Sequence, residues 1–450
     1  MSAQNEKTGS WSSPAILGWS LASLFYLYQY ALRSAPAAVV PQLSHAFGVT
    51  AAGLSTLVGL FYYGYAPFSL VAGVAMDQLG PRKVTPIAAA TIGMGTILFA
   101  TGNLAFAALG SFLQGAAAVF AFVAAAYIAT TRFPASLAAS LIGLTQMLGM
   151  VGGAAGMFLV GPAISAGLPW NAFWIFMGIV GFILTTAQLA FMPADQQAGK
   201  TVGSKRVGSW KSNVIAAFRS VFSNPQSILC GLIAGFLFIP TTTFSMIWGV
   251  QFLQEAHNIP YAVAILRSAS VSVGWMIGAP LLGLLSDRIG RRKPVIIASA
   301  ALLFMCLLAI LFGGPGLFPA YSLGLAVGFA SGAAMIPYTI IKEANRPEFG
   351  GTATGVISFI NFSLSAILGP AFGTLLARAS NGANRALVHY QIAFTPLLII
   401  VALAIFLTFH LRETGTASKT AETPKHGQGS EMPYRRSDRP RNALERGHNV

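Results

Sequence analysis

An arginine stands at position 33, inside an apolar run, Ile16–Val40, long enough to cross a membrane. A guanidinium in hydrocarbon costs about 2.5–3.5 kcal/mol even on the most lenient insertion scales. Such a residue therefore faces a cavity or a partner. At 1.5 Å per residue Arg33 sits roughly 26 Å along the helix from Ile16. Tyr26, Gln29 and Tyr30 share its face. A planar guanidinium beside phenols and an amide can grip a carboxylate, phosphonate or sulfonate through two parallel hydrogen bonds. The bland alternative is an arginine that snorkels to headgroups or bonds backbone carbonyls.

Other residues extend this set. Arg267 lies about 20 residues before Asp287, near the outer surface, where snorkelling or an outer gate competes with substrate contact. Tyr62, Tyr63 and Tyr65 cannot all face one cavity, because successive helical residues turn by about 100°. Gln114, Gln146, Thr242, Ser245, Trp248, Tyr338 and Asn361 are mid-span polar or amphipathic residues. Each alone serves helix packing as readily as a ligand; together they make a polar lining. The candidate substrate contacts are Arg33, Tyr30, Tyr26, Gln29, Tyr62, Gln146, Trp248, Asn361 and Arg267.

Acidic residues are scarce where proton carriers usually sit. Apart from Asp77 and Asp287 at span ends, the predicted spans contain no Asp or Glu, and Glu343 stands at the inner end of the tenth. This argues against a buried acidic relay and fits a net-positive site that attracts anions. No Walker loop, His-Glu-x-x-His or nucleophile elbow occurs, so neither an ATP-driven pump nor a membrane protease is expected. Cys230 and Cys306 lie within spans without metal spacing, and no metal or cofactor is expected.

Composition dictates the solvent. Of the 450 residues 55% are hydrophobic and only 9% charged, with a mean hydropathy of +0.67. A soluble fold of this length could not hide that much apolar surface. The net charge is +15 and the isoelectric point about 10.1. Those charges sit in loops and tails, where membrane orientation accounts for them, so no nucleic-acid partner is expected.

Twelve spans are expected, at Ile16–Val40, Ala52–Met76, Val84–Ala100, Leu104–Thr131, Leu137–Ile164, Asn171–Met192, Gln226–Phe252, Ala262–Ser286, Val295–Phe312, Phe318–Ile341, Thr352–Ala377 and Ala386–Leu411. The third and fourth are divided only by Thr101-Gly102-Asn103. Basic loops alternate with nearly neutral ones; Arg378 and Arg385 are the exceptions. The positive-inside rule then places both termini in the cytoplasm. The expected fold is an all-α membrane protein of twelve transmembrane helices in two pseudo-symmetric six-helix bundles around a central cavity. It divides into an N-terminal tail at 1–15, a bundle at 16–192, a linker at 193–225, a bundle at 226–411 and a disordered basic tail at 412–450. Within the linker Trp210, Val214, Phe218 and Val221 fall at helical spacing, which predicts an amphipathic helix on the inner membrane surface.

One motif occurs twice. GVAMDQLGPRKV runs from Gly73 to Val84 and GLLSDRIGRRKP from Gly283 to Pro294. The copies align Gly73 with Gly283, Asp77 with Asp287, Gly80 with Gly290 and Arg82 with Arg292. RFPASLAASLIGL and NRPEFGGTATGVI repeat similarly, each leading into a span with a central amide, Gln146 or Asn361. Doubled halves are the architecture of a secondary transporter.

The paired motif, twelve spans, central linker and duplication resemble the major facilitator superfamily over roughly Ile16 to Leu411. YLYQYALRSAPAAVVPQLSHAFGV followed by FYYGYAPFSLVAGVAMDQLGPRKV resembles the organic-anion permeases of the anion:cation symporter type, which often carry an arginine in helix 1 and a tyrosine-rich helix 2. The chain departs from their Asp-Arg-x-Asn pattern, having Leu32-Arg33-Ser34-Ala35. The resemblance implies an alternating-access carrier of a small organic anion, with Arg33 as anchor between the halves. It makes the motif charges, Asp77 with Arg82 and Asp287 with Arg292, a cytoplasmic latch, where a bare charge cluster would only set topology. It implies a multi-pass protein of a bacterial-type inner membrane, acting as a monomer among lipids, with a coupling proton or sodium ion. The rivals are a carrier of peptides, siderophores or another amphipathic neutral solute, and a receptor on the same fold. A receptor would show a collapsed, apolar centre.

Overall fold

In hydrocarbon a backbone must satisfy its own hydrogen bonds, and a chain of apolar runs does so by forming helices. The computed structural model describes residues 13–133, 135–193, 218–313, 321–346, 349–381 and 385–414. No strand occurs among them. The first half holds α1 (Ser13–Ala38), α2 (Val40–Phe47), α3 (Ala51–Leu79), α4 (Pro81–Ala100), α5 (Leu104–Arg132), α6 (Ala135–Ser165) and α7 (Trp170–Phe191). The second holds α8 (Pro225–Ile239), a π-helical stretch (Pro240–Trp248), α9 (Gly249–His257), α10 (Tyr261–Ile289), α11 (Lys293–Phe312), α12 (Ser322–Ser331), a 3₁₀ turn (Gly332–Met335), α13 (Ile336–Glu343), α14 (Gly350–Ser380) and α15 (Leu387–His410). Among the described residues eleven helical rods are long and apolar enough to span a membrane. The twelfth is α1, whose polarity comes from Tyr26, Tyr28, Gln29, Tyr30 and Arg33. The result is an all-α membrane protein of twelve rods in two six-helix bundles.

The short divider after the third span is real. Gly102 takes φ 75°, and the Asn103 side chain caps α5 by accepting from the backbone of Ala105 and Phe106. Three rods depart from a plain helix. The first was expected to reach Val40, but α1 stops at Ala38 and the chain turns at Val39 into α2. Pro36 and Pro41 flank that turn, and α2 ends on Gly48 at φ 63°. The seventh was expected as one helix ending at Phe252; it loosens into the π stretch from Pro240 and continues to His257. The tenth tightens at Gly332, where a Cβ would strike the backbone of Ala279. The predicted linker helix falls mostly outside the described residues; 218–222 are helical.

Small residues set the packing within each half. A Cβ on Gly152 or Gly156 of α6 would collide with the Leu27 or Ala31 carbonyl of α1. Gly115 of α5 presses on the Phe61 carbonyl of α3. The second half repeats this crossing, with Gly274 and Gly278 of α10 against Leu325 and Phe329 of α12 and its continuation. Such approaches let backbones pack where lipid offers no hydrophobic drive. Outward faces carry exposed Ile87, Phe176, Ile367 and Ile399, which suit lipid.

The halves meet along α3 against α14, along α6 against α10, and where α1 meets the π stretch. The Ser55 hydroxyl donates to the Gly369 carbonyl at 3.3 Å, and Ser69 to Gly355 at 3.3 Å. Both sequence motifs lie at one end of the bundle, here termed the motif side. At the far side the Tyr261 hydroxyl donates to the Ala38 carbonyl at 2.5 Å.

Candidate functional site

Arg33 is only 5% exposed and stands where the two halves touch. Its guanidinium carbon lies 5.0 Å from the ring centres of Tyr30 and Tyr62, 5.3 Å from Phe362, 5.7 Å from Phe61 and 5.8 Å from Phe238. Three of those rings come from the first half; Phe238 and Phe362 come from the second. Its Nε donates to the Tyr62 hydroxyl at 3.3 Å, and Tyr62 in turn donates to the Thr242 carbonyl of the π stretch at 3.4 Å. Nη2 has no hydrogen-bond partner. None of the ion pairs formed by the described residues includes Arg33. An unpaired buried charge costs several kcal/mol. Each aromatic face returns about 0.5–2 kcal/mol.

A cavity of about 420 Å³ adjoins this cage, lined by Tyr26, Tyr30, Tyr65, Gln146, Tyr338, Asn361 and Phe362 among others. Tyr26 donates to Gln146 Oε1 at 2.5 Å and lies 3.3 Å from the Tyr30 hydroxyl. Asn361 Nδ2 donates to the Tyr338 hydroxyl at 3.4 Å, leaving its Oδ1 unpartnered. A second cavity, about 370 Å³, reaches into the first half between Arg33, Leu32, Tyr62, Ser111, Gln114 and Trp174. Gln114 Nε2, also buried, has no partner. From Gln146 and Tyr338 a cleft of about 1140 Å³ runs toward Asp287, Arg292 and Lys342 on the motif side.

The centre is thus neither collapsed nor purely apolar. A sequence profile of the Major Facilitator Superfamily matches residues 22–370 and 238–444. The chain belongs to the major facilitator superfamily. It is 23% identical over 376 residues to a probable sulfoacetate transporter of Cupriavidus necator, covering 80% of this chain and 86% of that protein. It is 22% identical over 374 residues to a hexuronate transporter of Bacillus subtilis, with the same coverage, 80% and 86%. Among solved structures it is similar to a bacterial homologue of the human lysosomal transporter Spinster, with a TM-score of 0.67 at 16% identity, covering 89% of this chain and 97% of that one. A nucleoside transporter gives a TM-score of 0.68 at 15% identity, covering 88% and 99%. At such identities the structures show the shared fold. As a member of this superfamily the chain is a multi-pass membrane transporter of small molecules, not an enzyme.

Several expected contacts gather in this superfamily site, and others do not. Arg33, Tyr26, Tyr30, Tyr62, Gln146 and Asn361 line the two central cavities. Tyr65 and Tyr338 join them, while Tyr63 is exposed on the outer face. Gln29 is buried but lines neither cavity, and its amide has no partner. Trp248 points to the far-side seal, against Phe394 and 6.0 Å from Arg385. Ser245 bonds Ser268 and lines a third cavity, about 800 Å³, within the second half. Arg267 lines that same cavity, away from Arg33. Hydropathy reads Phe61, Phe238 and Phe362 as ordinary core, and only the fold reveals them as walls around a cation. Glu255 escaped notice because the seventh span was expected to end before it; it bonds Gln251 and Tyr390 and pairs with Arg385 at 3.6 Å.

The second motif forms a built cluster. Arg292 forks between Asp287 at 2.5 Å and Glu343 at 2.9 Å. Burial opposes its charge, yet the hydrogen bonds and charges of Glu343 and Asp287 outweigh that and hold its pKa above the ordinary value. Glu413 accepts from the Arg292 and Lys293 backbone, capping α11 from the chain beyond α15. Gly290 takes φ 68°, ending α10 in the left-handed region. Gly283 lines the cleft and faces open space. In the first motif Gly80 takes φ 73° and Arg82 is exposed, Gly73 lies within α3, and the Asp77 side chain falls outside the described residues.

Proposed function

We propose that this transporter carries a small organic anion by alternating access and that Arg33 holds the anion's charged group. The observation that supports this most is a guanidinium buried between the halves with an unpartnered Nη2 and no carboxylate among its partners. One cation among several phenols and amides suits a singly charged acid that also carries hydroxyls. A sugar acid fits that description better than a dianion. The names of the two relatives, a sulfoacetate and a hexuronate transporter, lie within the same chemical range. The test is thermal unfolding of the purified protein with increasing glucuronate, sulfoacetate and glucuronamide. Binding stabilises by RT ln(1 + [L]/Kd), about 2.7 kcal/mol at a hundred times Kd. Glucuronate is expected to raise the midpoint progressively and neutral glucuronamide to leave it unmoved. Equal shifts from both would favour the neutral-solute reading.

In this reading the basic motif side faces the cytoplasm of an inner-membrane protein, and the cleft opens inward. A cysteine at Lys83 should react with an impermeant maleimide only after the cells are opened, and one at His45 from outside intact cells. The reverse pattern would invert the protein. The Asp287–Arg292–Glu343 cluster acts as the latch of the second half, with Asp77 and Arg82 as its counterpart in the first. Asp287→Asn keeps its shape but loses the charge that holds Arg292. It is expected to slow transport several-fold at unchanged expression and unfolding midpoint; wild-type rates would reduce the cluster to a topology marker.

A further inference from the structure

We infer that this carrier exchanges one anion for another and does not couple anion uptake to a proton or sodium ion. The inference rests on the reading that Arg33 receives the substrate's charge. Arg33 and Gln114 are 5% and 7% exposed, and each turns an unpartnered donor, Nη2 or Nε2, toward one shared cavity. The protein supplies nothing that could neutralise that cation when the site is empty. Of its twelve acidic residues, Asp77 alone falls in the first six spans, at the motif end of α3. Of those in the second half, Glu255 is at the far end of its rod, bonded to Gln251, Tyr390 and Arg385, and Asp287 and Glu343 are bound at the motif side. The six histidines, at 45, 257, 389, 410, 426 and 448, lie at rod ends or in the tail.

The titratable groups that face Arg33 from all packed elements are phenols: Tyr26 and Tyr30 of α1, Tyr62 and Tyr65 of α3, and Tyr338 of α13. Phenols titrate near about 10 and keep one charge state between pH 6 and 8. Leu32 and Gln114, beside Arg33 in the same cavity, carry no charge. Among the described residues no cluster of three acidic, histidine or cysteine side chains offers a cation site.

The consequence concerns the return stroke. Passing through an occluded state strands the guanidinium away from water, and a bound anion removes that penalty. The loaded carrier therefore crosses readily and the empty one does not. Each crossing then requires an anion, so inward and outward movements are bound one to one. Exchange of like anions moves no net charge.

The experiment uses the full chain in liposomes, with radiolabelled glucuronate or sulfoacetate outside. Vesicles loaded with the same unlabelled anion are expected to take up label more than about 100-fold faster than empty ones. Pre-set pH gradients, sodium gradients and potassium–valinomycin potentials should leave that rate unchanged. Sustained uptake into empty vesicles, driven by a proton or sodium gradient at a comparable rate, would overturn exchange and leave the anion reading standing. Failure of loaded vesicles to exchange either probe, or any anion of a carboxylate and sulfonate panel, would remove both.

Discussion

Arg33→Lys is expected to weaken glucuronate binding by about 10-fold or more, although the charge is kept. Lysine offers a point charge on a flexible stem and lacks the planar fork that grips two oxygens at once. It also stacks less well in a cage whose nearest ring centres lie 5.0 Å from the guanidinium carbon. Arg33→Ala should cost roughly 1.5–3 kcal/mol, the loss of a charge-assisted hydrogen bond, or about 10- to 150-fold. A snorkelling arginine behaves otherwise, because lysine serves as well wherever only a stem and a charge are needed. The check is isothermal titration of both variants beside wild type, with monodispersity confirmed by size exclusion. Equal affinity of Arg33→Lys and wild type would take Arg33 out of the site and with it the preference for an anion.

Gln114→Glu is expected to have the opposite sign, creating an activity. The change is nearly isosteric and places a carboxylate in the cavity that Arg33 already lines. A carboxylate near about 4.3 in water, pulled lower by the guanidinium, stays ionised at neutral pH. It would neutralise Arg33 when no substrate is bound and so release the empty return stroke. Uptake into empty vesicles should rise by about 10-fold or more, while substrate affinity falls because the new carboxylate competes for Nη2. Persistence of wild-type exchange without any gain in empty vesicles, in a folded variant, would show that the charge of the empty site does not limit return.

The fold was legible because the bilayer imposes two strict rules on sequence. Apolar runs of fixed length mark the rods, and a doubled motif marks the halves. The site was legible in part. Arg33 announces itself because its charge is costly in that position, and Tyr26, Tyr30, Gln146 and Asn361 because polarity is rare mid-span. Phe61, Phe238 and Phe362 carry no such signal, since a phenylalanine facing a guanidinium and one facing a leucine have the same hydropathy. Trp248 and Arg267 were misplaced for a related reason: spacing along one helix does not say which of two cavities its faces meet. Val39 and Val40 read as a continuing span because hydropathy is blind to the prolines on either side.

The loosened turn from Pro240 to Trp248 bears on how this gene tolerates change in length. A π-helical stretch is a helix carrying surplus residues, held in place by its surroundings. Removing one residue, Thr243 for instance, would let that stretch tighten toward an ordinary helix. Everything beyond it would then rotate by about 100°, the angular step of one residue. Gln251 would leave Glu255's partner set at the far side, and Trp248 would leave Phe394. A deletion that improves the helix should therefore unseal the protein, and a compensating one-residue insertion before Gly249 should reseal it. Frameshift-free indels along the chain would mark this stretch as the place where length, not composition, is selected.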